Sequence, residues 1–91
     1  MSRRTFRIAV TQFVEVTMDA SKFDEVFMQE FRDSFFPFHT LEEHAEHIAQ
    51  LQARGVIDAQ DRDEFVEGYG PSHEMGITAL VYDAETEVVS P

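Results

Sequence analysis

Residues 22–36, KFDEVFMQEFRDSFF, decide the fold because phenylalanine recurs there at every fourth position. Residues four apart lie on neighbouring turns of an α-helix, so the repeat predicts an aromatic stripe along one helical face. The stripe consists of Phe23, Phe27, Phe31 and Phe35. Ser21 followed by Asp24 has the form of a capping box and predicts where the helix begins, and Pro37 predicts where it ends. We expect the stripe to pack in the core; the alternative is a ligand pocket lined with phenylalanine.

A second helix is predicted directly after the first. Thr40 and Glu43 have the spacing of another capping box, and Gly55 occupies the position of a C-cap. Val56, just beyond that glycine, is placed to contact Leu51 in a Schellman-type ending. Apolar residues between the two ends recur at helical spacing and predict the buried face, which consists of Leu41, Ala45, Ile48 and Leu51.

Strand patterns flank the helices. Residues 5–18 alternate between apolar and polar side chains, and residues 75–82 are rich in β-branched and aromatic side chains. The apolar face of the first strand is predicted to hold Phe6, Ile8, Val10, Val14, Val16 and Met18. A turn is expected at residues 83–86, and a short edge strand at residues 87–89. A short third helix is predicted over residues 59–67, with Phe65 on its buried face.

This order of elements predicts an α+β fold with two layers. A small β-sheet of two or three strands is expected to carry two main helices and the short third helix packed on one face. A chain of 91 residues without cysteine is too short to form two cores, so residues 1–91 are predicted to form a single domain. Parallel and antiparallel pairing of the long strands remain open alternatives.

Charge is the most informative property of the composition. The chain has 7 Lys and Arg against 18 Asp and Glu, a net charge of −11. Three of the bases, Arg3, Arg4 and Arg7, lie at the amino-terminal end, which leaves four bases against 18 acids in the remainder. Direct binding to nucleic acid requires a basic surface, and an anionic membrane repels an acidic one. We therefore expect a basic protein as partner.

No motif in the chain predicts an enzyme or a cofactor. His44 and His47 lie three residues apart, and Glu43 lies four residues before His47, spacings at which side chains on a helix can share a metal ion. The pattern is not the zinc-binding HExxH motif, however. His44 also projects toward the apolar face of its helix. Residues 58–67 lack the glycine and the closing glutamate of a calcium loop. Ser72 has no triad context. The expectation is therefore no catalytic residue, no metal and no cofactor.

The acidic run VIDAQDRDEFVEGY, residues 56–69, and the second helix supply the candidate site. Carboxylates on neighbouring helical turns lie about 5–6 Å apart, which is close to the spacing of phosphates along a nucleic-acid strand. Such a surface can satisfy the lysines and arginines of a DNA-binding channel. The residues predicted to contact the partner are Glu42, Glu43, Glu46, Asp58, Asp61, Asp63, Glu64 and Glu67.

Small size, the absence of cysteine, strong acidity and this α+β pattern resemble the phage and mobile-element anti-CRISPR proteins that imitate DNA. The resemblance is to a class and carries no diagnostic motif. It implies a non-enzymatic inhibitor that occupies the DNA-binding channel of a CRISPR effector complex of the Cascade type. It also implies a protein that acts in the cytoplasm of a bacterial host.

Two other interpretations stay open. The acidity is explained equally by solubility alone, since charged surfaces are common in soluble proteins. From another functional class, a small phage or toxin-antitoxin assembly module would dimerise through apolar surface near Phe36, Phe38 and Tyr69. The chain is accordingly expected to be a monomer or a weak dimer.

Overall fold

The chain forms two α-helices and two small antiparallel sheets, as a computed structural model that describes residues 2–60 and 63–90 shows. In chain order the elements are β1 (Arg7–Thr17), α1 (Glu25–Ser34), α2 (Leu41–Ala53), β2 (Phe65–Val66), β3 (Gly70–Pro71) and β4 (Thr78–Ser90). Short 3-10 turns occupy Ala20–Lys22 and Ser72–Met75. The predicted α+β class is confirmed.

The amino-terminal end of α1 lies later than predicted. The carboxylate of Asp24 accepts a hydrogen bond of 2.9 Å from the N–H of Phe27, so Asp24 is the N-cap and the helix begins at Glu25. Ser21 belongs instead to the preceding 3-10 turn, because both its N–H and its hydroxyl donate to the carboxylate of Asp19. The expected helix start at Ser21 is therefore wrong by one short turn.

The phenylalanine stripe of α1 faces the core over most of its length. Phe31 is buried, and Phe23 and Phe27 are half-buried against the core. Phe35 is 43% exposed. Phe35 follows the last helical residue and has left the helical conformation, with φ −129° and ψ −87°, so its ring turns toward solvent.

Both ends of α2 form as predicted. The N–H of Glu43 donates to the hydroxyl of Thr40 over 3.2 Å, and the carboxylate of Glu43 accepts from the N–H of Thr40 over 3.1 Å. At the other end Gly55 has φ 73°, and the N–H of Val56 donates to the carbonyl of Leu51 over 2.9 Å. The capping box and the Schellman-type ending are confirmed, and they fix the limits of α2.

The core lies between the helices, the segment around Tyr69 and one end of the β1–β4 sheet. α2 packs against both of these strands. The buried apolar residues come from every part of the chain after β1 and are Phe31, Ile48, Ile57, Ala59, Val66, Tyr69, Met75, Ile77 and Ala79. Val14, Val16 and Met18 pack against this cluster from the first strand and the residue after it.

The third helix predicted over residues 59–67 is wrong. Where the structure describes this segment, it is loop and the short strand β2. The hydroxyl of Ser72 accepts a hydrogen bond of 2.9 Å from the N–H of Glu64, and the N–H of Ser72 donates one of 2.8 Å to the carbonyl of Glu64. Asp63 adds a bond of 3.0 Å from the N–H of His73. These tertiary hydrogen bonds hold the segment extended beside β3 and override its helical pattern.

β1 and β4 pair antiparallel, which decides the open question of their direction. β4 runs without interruption through residues 83–86, so the predicted turn and the separate strand at residues 87–89 are wrong. The register shifts between Phe13, opposite Asp83, and Val14, opposite Val81. This shift leaves Tyr82 as one extra residue on β4, a bulge directly before the predicted turn, and residues 83–86 themselves pair in regular register with residues 10–13 of β1.

Only one half of the β1–β4 ribbon belongs to the core. The molecule extends over 60 × 27 × 20 Å, and the outer half of the ribbon is exposed on both faces. Phe6, Ile8 and Val10 lie on the same face of the first strand as the half-buried Val14 and Val16. Their exposed fractions are 51%, 48% and 60%. The predicted apolar face of β1 is thus covered at its base and uncovered farther out.

Replacing Gly68 tests how closely the Tyr69 segment packs on α1. Gly68 has φ 91°, and a Cβ atom there would lie 2.6 Å from the Phe31 ring. Gly70 has φ 80° with nothing within 4 Å, so Gly70→Ala is a matched control. Both changes incur the left-handed backbone strain of about 1–2 kcal/mol. Gly68→Ala should lose a further 1–3 kcal/mol or so through overpacking. Equal losses in urea unfolding would contradict the close contact.

Candidate interaction surface

A buried polar pair lies at the centre of the aromatic core. His44, on α2, is fully buried, and its Nδ1 atom lies 2.8 Å from the hydroxyl of Tyr69. The imidazole meets the rings of Phe31 and Phe38 edge-on, with centroids 4.6 and 5.1 Å apart. The Nε2 atom of His44 has no hydrogen-bond partner within the described residues. The single hydrogen bond therefore offsets only part of the free-energy cost of burying the imidazole. It also fixes the orientation of the His44 and Tyr69 rings relative to each other.

The two histidines of α2 are not arranged as metal ligands. His44 faces the core, whereas His47 is half-buried with its ring 5.1 Å from that of Phe36 and 5.5 Å from that of Phe38. Across the ranges that the structure covers, no group of three or more His, Asp or Glu side chains is positioned to hold a metal ion. Both imidazoles serve as members of the aromatic packing.

Asp63, Ser72 and His73 come together in a way that the sequence did not suggest. The carboxylate of Asp63 lies 2.7 Å from Nδ1 of His73 and accepts a bond of 3.2 Å from the hydroxyl of Ser72. In a catalytic triad the imidazole lies between the hydroxyl and the carboxylate. Here the carboxylate lies in the middle, and Ser72 is buried. The cluster therefore connects the segment before β2 to the turn after β3.

The acidic candidates on α2 divide into two kinds. Glu42 and Glu46 are exposed and lie one helical turn apart. Glu43 is half-buried and belongs to the capping box, where the N–H groups of His39 and Thr40 hold the pKa of its carboxyl below the ordinary value. Glu42 and Glu46 are therefore available to a partner, and Glu43 serves the helix end.

The acidic candidates after α2 are dispersed. Asp63 is held by Ser72 and His73, and the N–H of His73 holds the pKa of its carboxyl below the ordinary value. Asp58 and Glu64 each make a further interaction inside the protein. Asp61 lies outside the described residues.

Glu67 is exposed and lines a groove that also contains His47 of α2. The structure thus brings Glu67 toward α2, whereas Asp63 lines a separate cavity at Ser72 and His73. The seven candidates that lie in the described residues do not form one continuous surface. An acidic surface beside α2 remains, and it includes Glu42, Glu46 and Glu67.

An exposed aromatic groove contains Glu67 and meets, at His47, the depression that Glu46 lines. It has a volume of about 730 Å³ and is lined by Phe35, Phe36, His47, Leu51, Val56, Ile57, Phe65, Val66 and Glu67. Phe65 is 71% exposed and Val56 63%. His47 also lines the neighbouring depression formed with Glu43 and Glu46. An apolar groove with acidic residues beside it has the composition of a protein-binding site.

The apolar surface predicted for dimerisation is not intact in the folded chain. Tyr69 is only 5% exposed and binds His44, and Phe38 is half-buried. Phe36 is 46% exposed and belongs to the groove instead. Tyr69 therefore stabilises the core and is not accessible to a second molecule.

The chain was compared with protein-family models, curated proteins and solved structures. No protein-family model matches the chain, and no curated protein or solved structure does. In the described part of the chain, neither helix combines the length and the apolar character needed to cross a bilayer.

The buried histidine predicts how stability depends on pH. Burial lowers the pKa of His44 below its ordinary value of 6.5, His47 adds to the lowering and Glu43 opposes it. Burial also lowers the pKa of His47. As the pH falls through about 6.5, the unfolded chain binds protons that the folded chain does not, so the free energy of unfolding should decrease.

Urea unfolding between pH 7.5 and pH 5.5 measures this loss. The double change His44→Phe and Tyr69→Phe removes the polar pair and keeps an aromatic ring at both positions. The pH-linked loss should be smaller in this variant, because the contribution of His44 is removed while that of His47 remains. The same loss in both proteins would contradict a neutral His44 in the fold.

Proposed function

We propose that the chain is a non-enzymatic inhibitor whose acidic surface imitates DNA and blocks the DNA-binding channel of a protein, with a CRISPR effector complex of the Cascade type as the first candidate. It acts in the cytoplasm of a bacterial host and binds no nucleic acid itself. The observation that carries the proposal is the exposed aromatic groove beside the exposed carboxylates of α2.

The charge supports binding to a basic partner. Glu42 and Glu46 are separated by one turn, so their carboxylates present charge at a spacing of about 5–6 Å on a helical surface. The whole chain has a net charge of −11, and its amino-terminal arginines are exposed, with Arg3 and Arg4 before β1 and Arg7 at its first position. Steering by these charges accelerates association at low salt and weakens as salt screens it.

The groove distinguishes this surface from acidity that serves only solubility. A surface adapted for solubility disperses its charge and avoids exposed aromatic clusters. Here Phe35, Phe36 and Phe65 are each more than 40% exposed within one groove. Aromatic residues contribute most of the binding energy in many protein interfaces, and a charged rim adds specificity. The groove would therefore supply most of the affinity, and the carboxylates would make the surface selective for a basic partner.

The surface is also preorganised. α2 is fixed at its first turn by the capping box and at its end by the bonds of Gly55 and Val56. The hydrogen bond between His44 and Tyr69 joins α2 to the segment that carries Glu67. A partner that meets a rigid surface loses less conformational entropy on binding.

Displacement of labelled DNA tests the proposal. A purified Cascade-type effector bound to its target duplex is titrated with the protein at two salt concentrations. We expect the protein to displace the duplex, and a larger amount to be needed at the higher salt. A folded sample that binds the effector and leaves the duplex bound would contradict the imitation of DNA.

Charge reversal on α2 identifies the contact surface. In Glu42→Lys with Glu46→Lys, displacement should require at least about tenfold more protein, because repulsion replaces attraction at two positions. Glu85→Lys with Glu87→Lys on β4 changes the net charge equally and should displace DNA as the wild type does. An equal loss in both variants would assign the effect to net charge alone. Glu43 and Asp63 are unsuitable for this test, since they hold the fold.

The groove is tested by Phe65→Ser. Phe65 is 71% exposed, so the change should leave the free energy of unfolding within about 0.5 kcal/mol of wild type. The affinity for the effector should fall by about tenfold or more if Phe65 is an anchor of the interface. Val26→Ser on α1, where Val26 is 66% exposed outside the groove, is the matched control. Wild-type affinity in Phe65→Ser would exclude the groove from the interface.

A further inference from the structure

We propose that the free edge of β1 is a self-association site, at which β1 pairs antiparallel with β1 of a second copy and Thr11 lies on the two-fold axis. The two ribbons then form one four-stranded sheet in the order β4-β1-β1-β4. This inference is independent of the inhibitor function, because it concerns the ribbon and leaves the groove and the carboxylates of α2 free.

The two edges of the ribbon differ. The β1–β4 sheet has only these two strands, so within the described residues the outer edge of β1 pairs with no other strand. β1 is regular along its length, whereas both register shifts leave their extra residue on β4, at Tyr82 and Val89. The edge of β4 is also partly occupied, since the N–H of Ala79 donates to the carbonyl of Ala59 over 3.1 Å. Bulges protect an edge from pairing, and in the part of the chain that the structure describes β1 has none.

The charged residues of the two strands favour pairing of β1 with β1 over pairing of β4 with β4. β4 carries Asp83, Glu85 and Glu87, so pairing two copies of β4 would bring like charges together. β1 instead has one base, Arg7, at its outer end and one acid, Glu15, near its base. An antiparallel pair of identical strands matches such opposite ends, and β1 is therefore complementary to itself.

The same charges fix the register. With Thr11 on the axis, Arg7 of each copy lies opposite Glu15 of the other. A shift by two residues would instead place Arg7 opposite Phe13 or Thr17, neither of which is charged. A shift by one residue would turn the apolar face of one strand to the wrong side of the sheet. Only the register centred on Thr11 satisfies both requirements.

This register also places the exposed apolar side chains of one copy beside the half-buried apolar side chains of the other. It places Ile8 of one copy opposite Val14 of the other, on the face of β1 that packs against the core. Phe6, continued in the same register, lies beside Val16. The exposed outer half of each strand thereby extends the covered half of its partner. A two-stranded ribbon is marginal alone and gains stability as part of a wider sheet.

Sedimentation equilibrium of the full chain over micromolar to millimolar concentration tests the association. Arg7→Glu alone and Glu15→Arg alone should each raise the dimer dissociation constant at least tenfold, because each places like charges opposite one another twice per dimer. The combined Arg7→Glu and Glu15→Arg variant restores opposite charges and should dimerise nearly as the wild type does. This recovery separates the contact from a general effect of mutation on the ribbon.

A cysteine cross-link tests the register, since the chain has no cysteine of its own. Thr11→Cys should form a disulfide-linked dimer on mild oxidation, because Cα atoms on the axis of an antiparallel pair lie within the range that a disulfide spans. Thr86→Cys on β4 is the control. Its copies would lie three strand spacings apart, about 14 Å, and should stay unlinked.

Three results would overturn the proposal. The first is a wild-type protein that remains monomeric over the whole concentration range. The second is a dimer in which the two single charge changes have no effect and Thr11→Cys does not cross-link. The third is a dimer that persists in the charge variants and is lost in Phe65→Ser, which would place the interface at the aromatic groove instead.

Discussion

The hydrogen bond between His44 and Tyr69 is the contact on which the rest of the body depends. It joins α2 to the segment after β2 inside a cluster of aromatic rings, and Phe31 of α1 contacts both of the bonded rings, so the three elements meet around it. A polar group in such surroundings is costly unless it is bonded, which makes the relative position of the two rings specific. Gly68 permits this geometry, because it brings Tyr69 close to the ring of Phe31 without a side chain of its own.

The molecule consequently has a compact part and an exposed part with different roles. The compact part positions α2, its carboxylates and the aromatic groove on one rigid scaffold. The outer half of the β1–β4 ribbon contributes little to the core and leaves apolar side chains exposed on both strands, including Ile8 and Val88. A surface for a basic protein and an edge for a second copy can therefore act separately, and a dimer would present two acidic surfaces.

What the sequence predicted well is what local interactions determine. The capping box at Thr40 and Glu43 and the ending at Gly55 are complete within a few residues, so their pattern was sufficient. The third helix failed because Ser72, eight residues along the chain and beyond the predicted helix, bonds the backbone of Glu64 and holds it extended. The predicted turn at residues 83–86 failed similarly, since pairing with β1 from the other end of the chain continues the strand.

The candidate site was predictable only in part. Composition alone indicated an acidic surface, and α2 presents Glu42 and Glu46 outward as its periodicity implies. The groove was not predictable, because Phe65 was expected to be buried in a helix that does not form. Tyr69 was expected at the surface, and its burial depends on a partner, His44, that lies 25 residues away in the chain.

The most direct measurement is a cryo-electron microscopy structure of the protein bound to a Cascade-type effector complex. We expect α2 to lie in the DNA-binding channel, with Glu42 and Glu46 opposite lysines or arginines that otherwise bind phosphate, and with the ring of Phe65 in contact with the channel wall. A complex in which α2 and the groove face solvent, with the channel open to DNA, would contradict this expectation.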